Sequence, residues 1–259
     1  MGSATYPLHA IVLRRTKLAE TDIIATLLAE DGAIVEAVAK GARKPSSPFS
    51  ARLEIFAEVD ILAVRGKSLD IVKEARLIDA HRDLIADVEH AAAAALVADA
   101  AARLCQPGLP APKVFALTSS VFSHMESCDE GAALALCAAY LLKVCSFSGF
   151  RPSFRRCVLC GAPIALNVDR VDRNPVVFSA ADGGTVCAEC LSFSDTVRVP
   201  CETLAWADYL LMATFDEAVR KAPPVRVSFE VLRLCRLWLK EHADVRLKSL
   251  EFLLGCGLF

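Results

Sequence analysis

The chain contains C-V-L-C at residues 157–160 and, 26 residues further on, C-A-E-C at residues 187–190. Each C-x-x-C pair offers two thiolates on one tight turn, and two pairs complete the four-coordinate sulfur shell that structural Zn²⁺ prefers. The spacing therefore predicts a closed zinc site. Its ligands would be Cys157, Cys160, Cys187 and Cys190.

The long gap between the two pairs predicts a ribbon with a hairpin inside it. Val176, Val177 and Phe178 supply one strand, and Asp182-Gly183-Gly184 supplies the turn. Two redox dithiols or two disulfides are the alternatives. A thioredoxin-like dithiol would sit beside a βαβ pattern that this sequence lacks, so zinc is the favoured interpretation.

Residues 5–77 show five short stretches of strand-forming residues separated by turn signals. They are Leu8–Arg15, Asp22–Leu28, Ala33–Ala39, Ile55–Val64 and Leu69–Leu77. The longer insert between the third and fourth stretches predicts a small Greek-key barrel of the OB type. An SH3-like barrel stays open as the alternative.

Near residue 80 the apolar period changes from that of strands to that of helices. Helical stretches occur on both sides of the cysteine region, which predicts a zinc ribbon inserted into a helical domain and an α+β multidomain chain. The predicted domains are 1–80 (the OB-fold, nucleic-acid-binding domain), 81–152 (first helical part), 153–195 (the four-cysteine zinc module) and 196–259 (second helical part).

Composition indicates an intracellular, soluble protein. The chain opens without a secretory signal, and the cysteines outside the two C-x-x-C pairs are scattered among apolar residues, as buried thiols in a reducing cytosol are. The apolar run Gly131–Leu142 is too short to span a bilayer. We therefore expect no membrane association.

Signals of catalysis are scarce. The sequence has no phosphate-binding P-loop, no G-x-G-x-x-G, no G-x-S-x-G and no H-E-x-x-H. The five histidines show no pairing with each other or with a nearby acid at ligand spacing. Four cysteine ligands leave a zinc ion no position for an activated water. A binding protein is favoured over an enzyme.

Positive side chains concentrate in the loops of the predicted barrel, although the net charge of the chain is −2. The segment 37–53 contains no acidic residue, and its loop is positioned to follow a phosphate backbone. An ordinary solvated loop is the alternative. The candidate DNA-binding residues are Arg14, Arg15, Lys17, Lys40, Arg43, Lys44, Arg65 and Lys67.

Six short motifs are spread over nearly the whole chain. They are A-I-V-L-R-R (10–15), T-D-I-I (21–24), K-G-A-R-K-P (40–45), G-F-R-P (149–152), G-G-T-V-C-A-E-C (183–190) and L-K-S-L-E-F-L (247–253). In these motifs and their order the chain resembles the RecO family of bacterial DNA repair and recombination mediators.

The resemblance implies a function in DNA repair and homologous recombination, in the RecFOR pathway of the bacterial cytoplasm and nucleoid. Such a protein binds single- and double-stranded DNA and anneals complementary strands. With RecR, and in some cases RecF, it helps load RecA onto DNA coated by single-stranded-DNA-binding protein, whose C-terminal tail it binds. The resemblance assigns structural zinc to the four cysteines and DNA contact to Lys40, Arg43 and Lys44. Lys113, Lys143 and Arg151 flank apolar helices and are candidate contacts for the tail.

Two other function classes remain open from the residues alone. A zinc-stabilised protein-interaction adaptor without direct DNA contact agrees with the sequence pI of about 6.2. A redox or metal-dependent enzyme built on the C-x-x-C pairs is the third hypothesis, and one tightly held zinc per chain without thiol-disulfide turnover would exclude it.

Overall fold

The computed structural model describes residues 5–191 and 196–259. The chain separates into two compact units, the first ending at Glu126 and the second beginning at Ser127. The predicted domain boundaries after residues 80, 152 and 195 stay predictions. Residues 1–4 of the predicted OB domain and residues 192–195 of the predicted zinc module lie outside the described residues.

Five strands in the first unit form a closed barrel with the order β1-β2-β3-β5-β4. They are β1 (Thr5–Leu18), β2 (Asp22–Ala29), β3 (Ile34–Ala39), β4 (Glu58–Val64) and β5 (Asp70–Asp79). Neighbouring strands pair antiparallel, except that β3 and β5 run parallel. The predicted OB-type barrel is confirmed.

The barrel interior follows from the period-two alternation of its strands. In β4, Val59, Ile61 and Ala63 are buried, while the residues between them are partly exposed. Alanines in the other strands, such as Ala25 and Ala37, are fully buried in the same core. Their small side chains suit the narrow interior of a five-stranded barrel, where larger residues from every strand would overlap.

Phe56 is buried as a core residue, but the prediction that it lies within a strand is wrong. β4 begins only at Glu58, and Phe56 has a positive φ of 73°. Its backbone N–H donates to the carbonyl of Val12 at 2.8 Å, and Val12 donates to the carbonyl of Ala57 at 2.9 Å. The chain therefore joins β1 at a turn, beside the bulge between Val12 and Arg14.

Two helices complete the first unit, α1 (Val88–Leu104) and α2 (Pro112–Met125). The carboxylate of Asp87 caps α1 by accepting from the backbone N–H of His90 at 2.7 Å. Pro112 begins α2 at a position where its missing N–H costs nothing. The buried face of α1 consists largely of alanines, which allow it to approach β1 closely.

The second unit is built around α3 (Glu130–Phe147), which packs against three other helices. These are α4 (Cys201–Met212), α5 (Phe215–Arg220) and α6 (Val225–Ala243), and α7 (Lys248–Gly255) follows them. α3 is longer than the predicted apolar run, and by length and composition it is a candidate membrane span. Of its residues, 72% are buried inside the unit, as in the central helix of a folded domain.

The apolar periodicity of the sequence from Leu204 to Val219 predicts one helix, but the structure contains two helices there. Ala213 leaves the helical conformation, with ψ of 148°. Thr214 then caps α5, because its side chain accepts from the backbone N–H of Glu217 and the Glu217 carboxylate accepts from the backbone N–H of Thr214. A capping box inside an apolar-periodic stretch therefore marks a break between helices.

The ribbon between α3 and α4 contains a three-stranded sheet with the order β7-β6-β8. Its strands are β6 (Pro175–Ser179), β7 (Gly184–Val186) and β8 (Val197–Pro200). The hairpin predicted before and after Asp182-Gly183-Gly184 is present as β6 and β7. Gly184 is required there, because a Cβ atom would lie 2.0 Å from the carbonyl oxygen of Ser153.

A partly buried histidine makes the stability of the first unit depend on pH. Burial lowers the pKa of His9, but hydrogen bonds with Asp60 (2.8 Å) and Glu58 (2.9 Å) outweigh it, so that the pKa is raised above 6.5. The contribution of this group to stability is complete below the unfolded-state pKa and is lost as pH rises through the folded-state pKa.

We therefore expect His9→Gln to remove part of the pH dependence of the melting temperature. Between about pH 6 and about pH 8 the unmodified chain should lose more stability than the variant. Thermal melts across this range measure the difference. His242→Gln is the control, because the His242 ring contacts the backbone carbonyl of Ala180. Parallel pH profiles for the unmodified chain and His9→Gln would contradict the assignment.

Candidate metal centre and nucleic-acid surface

The four predicted zinc ligands come together on two turns of the ribbon. Their sulfur atoms all lie within 4.8 Å of one another, and the Sγ atoms of Cys160 and Cys187 are 3.6 Å apart. A tetrahedral ion with Zn–S bonds of about 2.3 Å places its sulfurs about 3.8 Å apart. A disulfide would need about 2.05 Å. The arrangement fits a metal ion and does not fit two disulfides.

Backbone hydrogen bonds shape the first of these turns. The N–H of Gly161 donates to the carbonyl of Cys157 at 2.8 Å, and the N–H of Cys157 donates to the carbonyl of Ala162 at 2.8 Å. Gly161 adopts a positive φ of 77°, which is the conformation that a sharp elbow requires. Arg156 adds a bond from its guanidinium to the Gly161 carbonyl at 3.2 Å. Cys157 and Cys160 are therefore held on one elbow.

The ionisation of the cluster favours a bound cation. Burial opposes ionisation of Cys157, but backbone N–H groups, led by that of Cys187 at 3.3 Å, lower its pKa to about 6. The sulfur atoms of Cys187 and Cys160 raise the pKa of Cys190 to about 12. Four thiolates this close repel one another, so a divalent cation between them would stabilise the fully ionised set.

The ribbon is attached to the rest of its unit by aromatic and polar contacts. Phe178 of β6 is buried and packs against Trp238 of α6, with ring centroids 5.7 Å apart. The indole N–H of Trp238 donates to the carbonyl of Phe150 at 2.8 Å. Arg155 pairs with Asp208 of α4 at 2.6 Å. These contacts anchor the ribbon to α4 and α6 of the second unit.

The first group of predicted DNA-binding residues meets at the turn between β1 and β2. Arg43 donates from its guanidinium to the carbonyls of Ala19 (3.1 Å) and Glu20 (2.8 Å). The side chain of Asp22 accepts from the backbone N–H of Gly41 at 2.7 Å. The start of the loop after β3 is thereby fixed against this turn.

The pKa of Asp22 is affected by the cations around it. Its pKa is lowered first by the hydrogen bond from Gly41, and the positive charges of Lys40 and Lys44 contribute. Both lysines and Lys17 are exposed, and Lys17 lies opposite Ile23 in the adjacent strand. Lys17, Lys40, Arg43 and Lys44 therefore form one group, which we call the basic turn.

The remaining predicted DNA-binding residues have contacts that do not involve the basic turn. Arg14 is 3.4 Å from Asp99, and Arg15 forms an ion pair with Glu54. The guanidinium of Arg65 stacks over the ring of Tyr6 at 4.8 Å. Lys67 is exposed in the turn between β4 and β5, without an ion pair in the parts of the chain that the structure describes. Their assignment as DNA contacts stays a prediction.

Sequence spacing failed to find the histidine–carboxylate pairs. His9 lies directly opposite Asp60 in the pairing of β1 with β4, and the two residues are far apart in the chain. His81 is 2.8 Å from Glu126, and with Asp79 these residues form a second group of potential metal ligands. The spacing of histidines and acids along the chain gave no sign of these two pairs, because strand register and the packing of the first unit bring the partners together.

Two candidate tail contacts are occupied by other groups of the second unit. The ammonium of Lys143 donates to the carbonyl of Leu211 at 2.8 Å, near the end of α4. Burial lowers its pKa, and Arg151 lowers it further. Arg151 in turn lies 2.8 Å from the sulfur of Met212. Both cations thus surround one helix C-terminus.

Comparison with known proteins covers nearly the whole chain. The family model described as Recombination protein O N terminal matches residues 3–81, and the one described as Recombination protein O C terminal matches residues 85–251. Two relatives named DNA repair protein RecO, from Desulfitobacterium hafniense strains DCB-2 and Y51, are each 35% identical over 185 residues. Each alignment covers 71% of this chain and 64% of the relative, just under two thirds. The chain belongs to the RecO family.

Proposed function

We propose that this protein is a DNA repair and homologous recombination mediator that binds single- and double-stranded DNA through its barrel and anneals complementary strands. The observation that carries the proposal is the basic turn, where four exposed cations converge although the chain has a net charge of −2. Local clustering of this kind attracts a phosphate backbone even when the total charge does not.

Annealing requires that a protein hold two backbones and leave their base edges free to pair. Lysine and arginine contacts to phosphates position a strand without reading its sequence. The basic turn suits this role because Arg43 is anchored to backbone carbonyls of the β1–β2 turn, while Lys40 and Lys44 stay exposed around it. The anchored Arg43 thus fixes the loop at a position between the two exposed lysines.

The proposed partners follow from membership of the RecO family. We infer that the chain acts with RecR, in some cases with RecF, to help load RecA onto DNA coated by single-stranded-DNA-binding protein, and that the helical part binds the C-terminal tail of that protein. We place this activity in the bacterial cytoplasm, at the nucleoid. In this scheme the chain itself catalyses no reaction.

We infer further that the four cysteines hold Zn²⁺ in a structural role. The sulfur distances and the low pKa of Cys157 support this assignment. All four coordination positions are filled by protein sulfurs, so the ion would close the two elbows against each other and fix the position of the hairpin. The proposed extent of the module is residues 153–195.

Replacement of Lys40 and Lys44, two of the three exposed lysines of the basic turn, should weaken DNA binding. Lys40→Ala with Lys44→Ala removes two phosphate contacts and leaves the hydrogen bonds of Arg43 intact. For single strands, the slope of log affinity against log salt should fall in magnitude by about 1.4, and annealing should slow. Fluorescence anisotropy over a salt series and a strand-annealing assay measure the two effects.

The matched control is Lys240→Ala with Lys248→Ala, which removes the same charge from exposed positions on α6 and α7. Equal salt slopes for the basic-turn variant and the unmodified chain would refute the assignment. Annealing assays with strands covered by single-stranded-DNA-binding protein, with and without RecR, test the mediator function. DNA binding that appears only with RecR would favour an adaptor.

Loss of one cysteine ligand should release the metal and destabilise the ribbon, while the barrel keeps its DNA contacts. A structural zinc site supplies on the order of 10 kcal/mol to folding, so Cys187→Ser should lower the zinc content from one ion per chain and lower the melting temperature of the second unit. Elemental analysis and calorimetry measure both quantities.

Cys256→Ser is the control, because Cys256 lies outside the cluster and its hydrogen bond to the carbonyl of Leu253 can be kept by serine. Loss of DNA affinity in Cys187→Ser, with zinc content and stability unchanged, would contradict a purely structural role.

A further inference from the structure

A groove lies on the outside of the barrel, along β4 and β5. It has a volume of about 870 Å³. One wall is formed by the two strands, and the other by residues 48–52 of the connection between β3 and β4. This volume is in the range of pockets that hold small organic ligands. None of the eight predicted DNA-binding residues lines it.

The groove combines an apolar surface with a cationic rim. Phe49, Leu62 and Leu77 supply the apolar part, and all three are partly exposed. Phe49 also packs against the barrel core, which fixes its position. A half-buried aromatic ring held in this way offers one accessible edge or face to a planar group.

Three cations surround this surface. Arg52 is fixed by a hydrogen bond from its guanidinium to the carbonyl of Ala75 at 3.0 Å. Arg76 is 3.1 Å from Asp60 and remains 77% exposed. Lys73 is exposed and makes no ion pair with any of the described residues. Asp60 and Glu74 also line the groove, so the rim carries a small positive excess.

The connection between β3 and β4 contributes residues to both the basic turn and the groove. Lys40 and Lys44 belong to its beginning, and Phe49 and Arg52 to its later part. The whole stretch from 37 to 53 contains no acidic side chain. Asp22 contacts the start of this segment at Gly41. A nucleic-acid backbone that follows the segment onward to the aromatic groove would meet no carboxylate that the segment itself supplies.

We propose that the groove is a subsite for an unpaired nucleobase, which stacks on Phe49 while neighbouring phosphates contact Lys73 and Arg76. This inference rests on the proposed function of DNA binding by the barrel. Bases of a duplex are stacked and paired inside it and do not enter such a groove. The subsite therefore confers a preference for single strands, whereas the basic turn binds both forms.

Phe49→Leu separates the two contributions, because leucine keeps apolar packing against the core and removes the aromatic face. Affinity for a single-stranded oligonucleotide should fall about tenfold, and affinity for a duplex of the same length should stay unchanged. Lys73→Glu should also weaken single-strand binding more than duplex binding. Controls are Phe252→Leu and Lys248→Glu, which make the same changes at exposed positions on α7.

An oligonucleotide of abasic sites provides a test that leaves the protein unaltered. It keeps the phosphates and lacks the bases, so the unmodified chain should bind it about tenfold more weakly than the normal strand, and Phe49→Leu should bind both strands equally. Anisotropy titrations at one fixed salt concentration measure all the affinities. If Phe49→Leu lowers thermal stability, the comparison of abasic and normal strands with the unmodified chain and the Lys73→Glu variant still test the proposal independently.

Equal affinity of the unmodified chain for abasic and normal strands would overturn the subsite. An equal loss of single-strand and duplex binding in Phe49→Leu and Lys73→Glu would do the same. In both cases the proposed function stands as long as the chain binds DNA and the basic-turn variant weakens binding. Failure of the unmodified chain to bind either form would remove the proposed function and the subsite together.

Discussion

Closure of the barrel between β3 and β5 is the constraint on which the candidate DNA surface depends. The two strands pair in parallel through Ala37 with Asp70 and Val38 with Ile71. Because β5 occupies the position beside β3, the chain must cross over before it can form β4. That crossover, residues 40–57, carries Lys40 and Lys44 of the basic turn and the aromatic side of the groove. Strand order thus determines where this largely acid-free segment can lie.

The ribbon of the second unit depends on a different source of stability, because it is too small to bury much apolar surface of its own. Phe178 and Phe154 are buried, but most residues between the two elbows are partly or fully exposed. Packing on Trp238 holds one end of the ribbon. A zinc ion bound by the four cysteines would supply the stabilisation that a small module without its own core lacks.

Strand positions could be predicted from alternation, and the cysteine cluster from spacing, because both patterns are local in the sequence. The histidine contacts could not, since His9 meets Asp60 only through strand register. The break at Thr214 was hidden because apolar residues continue across it, although the Thr-x-x-Glu pattern of a capping box was present. The groove at Phe49 depends on how the crossover folds back onto β5, which no periodicity records.

Charge counted from the sequence overstates how many barrel cations are available to a ligand. Arg15 is paired with Glu54, and Arg65 stacks on Tyr6, whose hydroxyl is bonded to Asp70. A phosphate must compete with these partners, and exposed ion pairs are each worth only about 0.2–1 kcal/mol, so the competition weakens a contact without abolishing it. Lys40 and Lys44 both lie close enough to the carboxylate of Asp22 to lower its pKa, and the same carboxylate accepts from the backbone N–H of Gly41. Asp22 thus holds the loop after β3 in position, and Lys40 and Lys44 on that loop are the strongest candidates for the first phosphate contact.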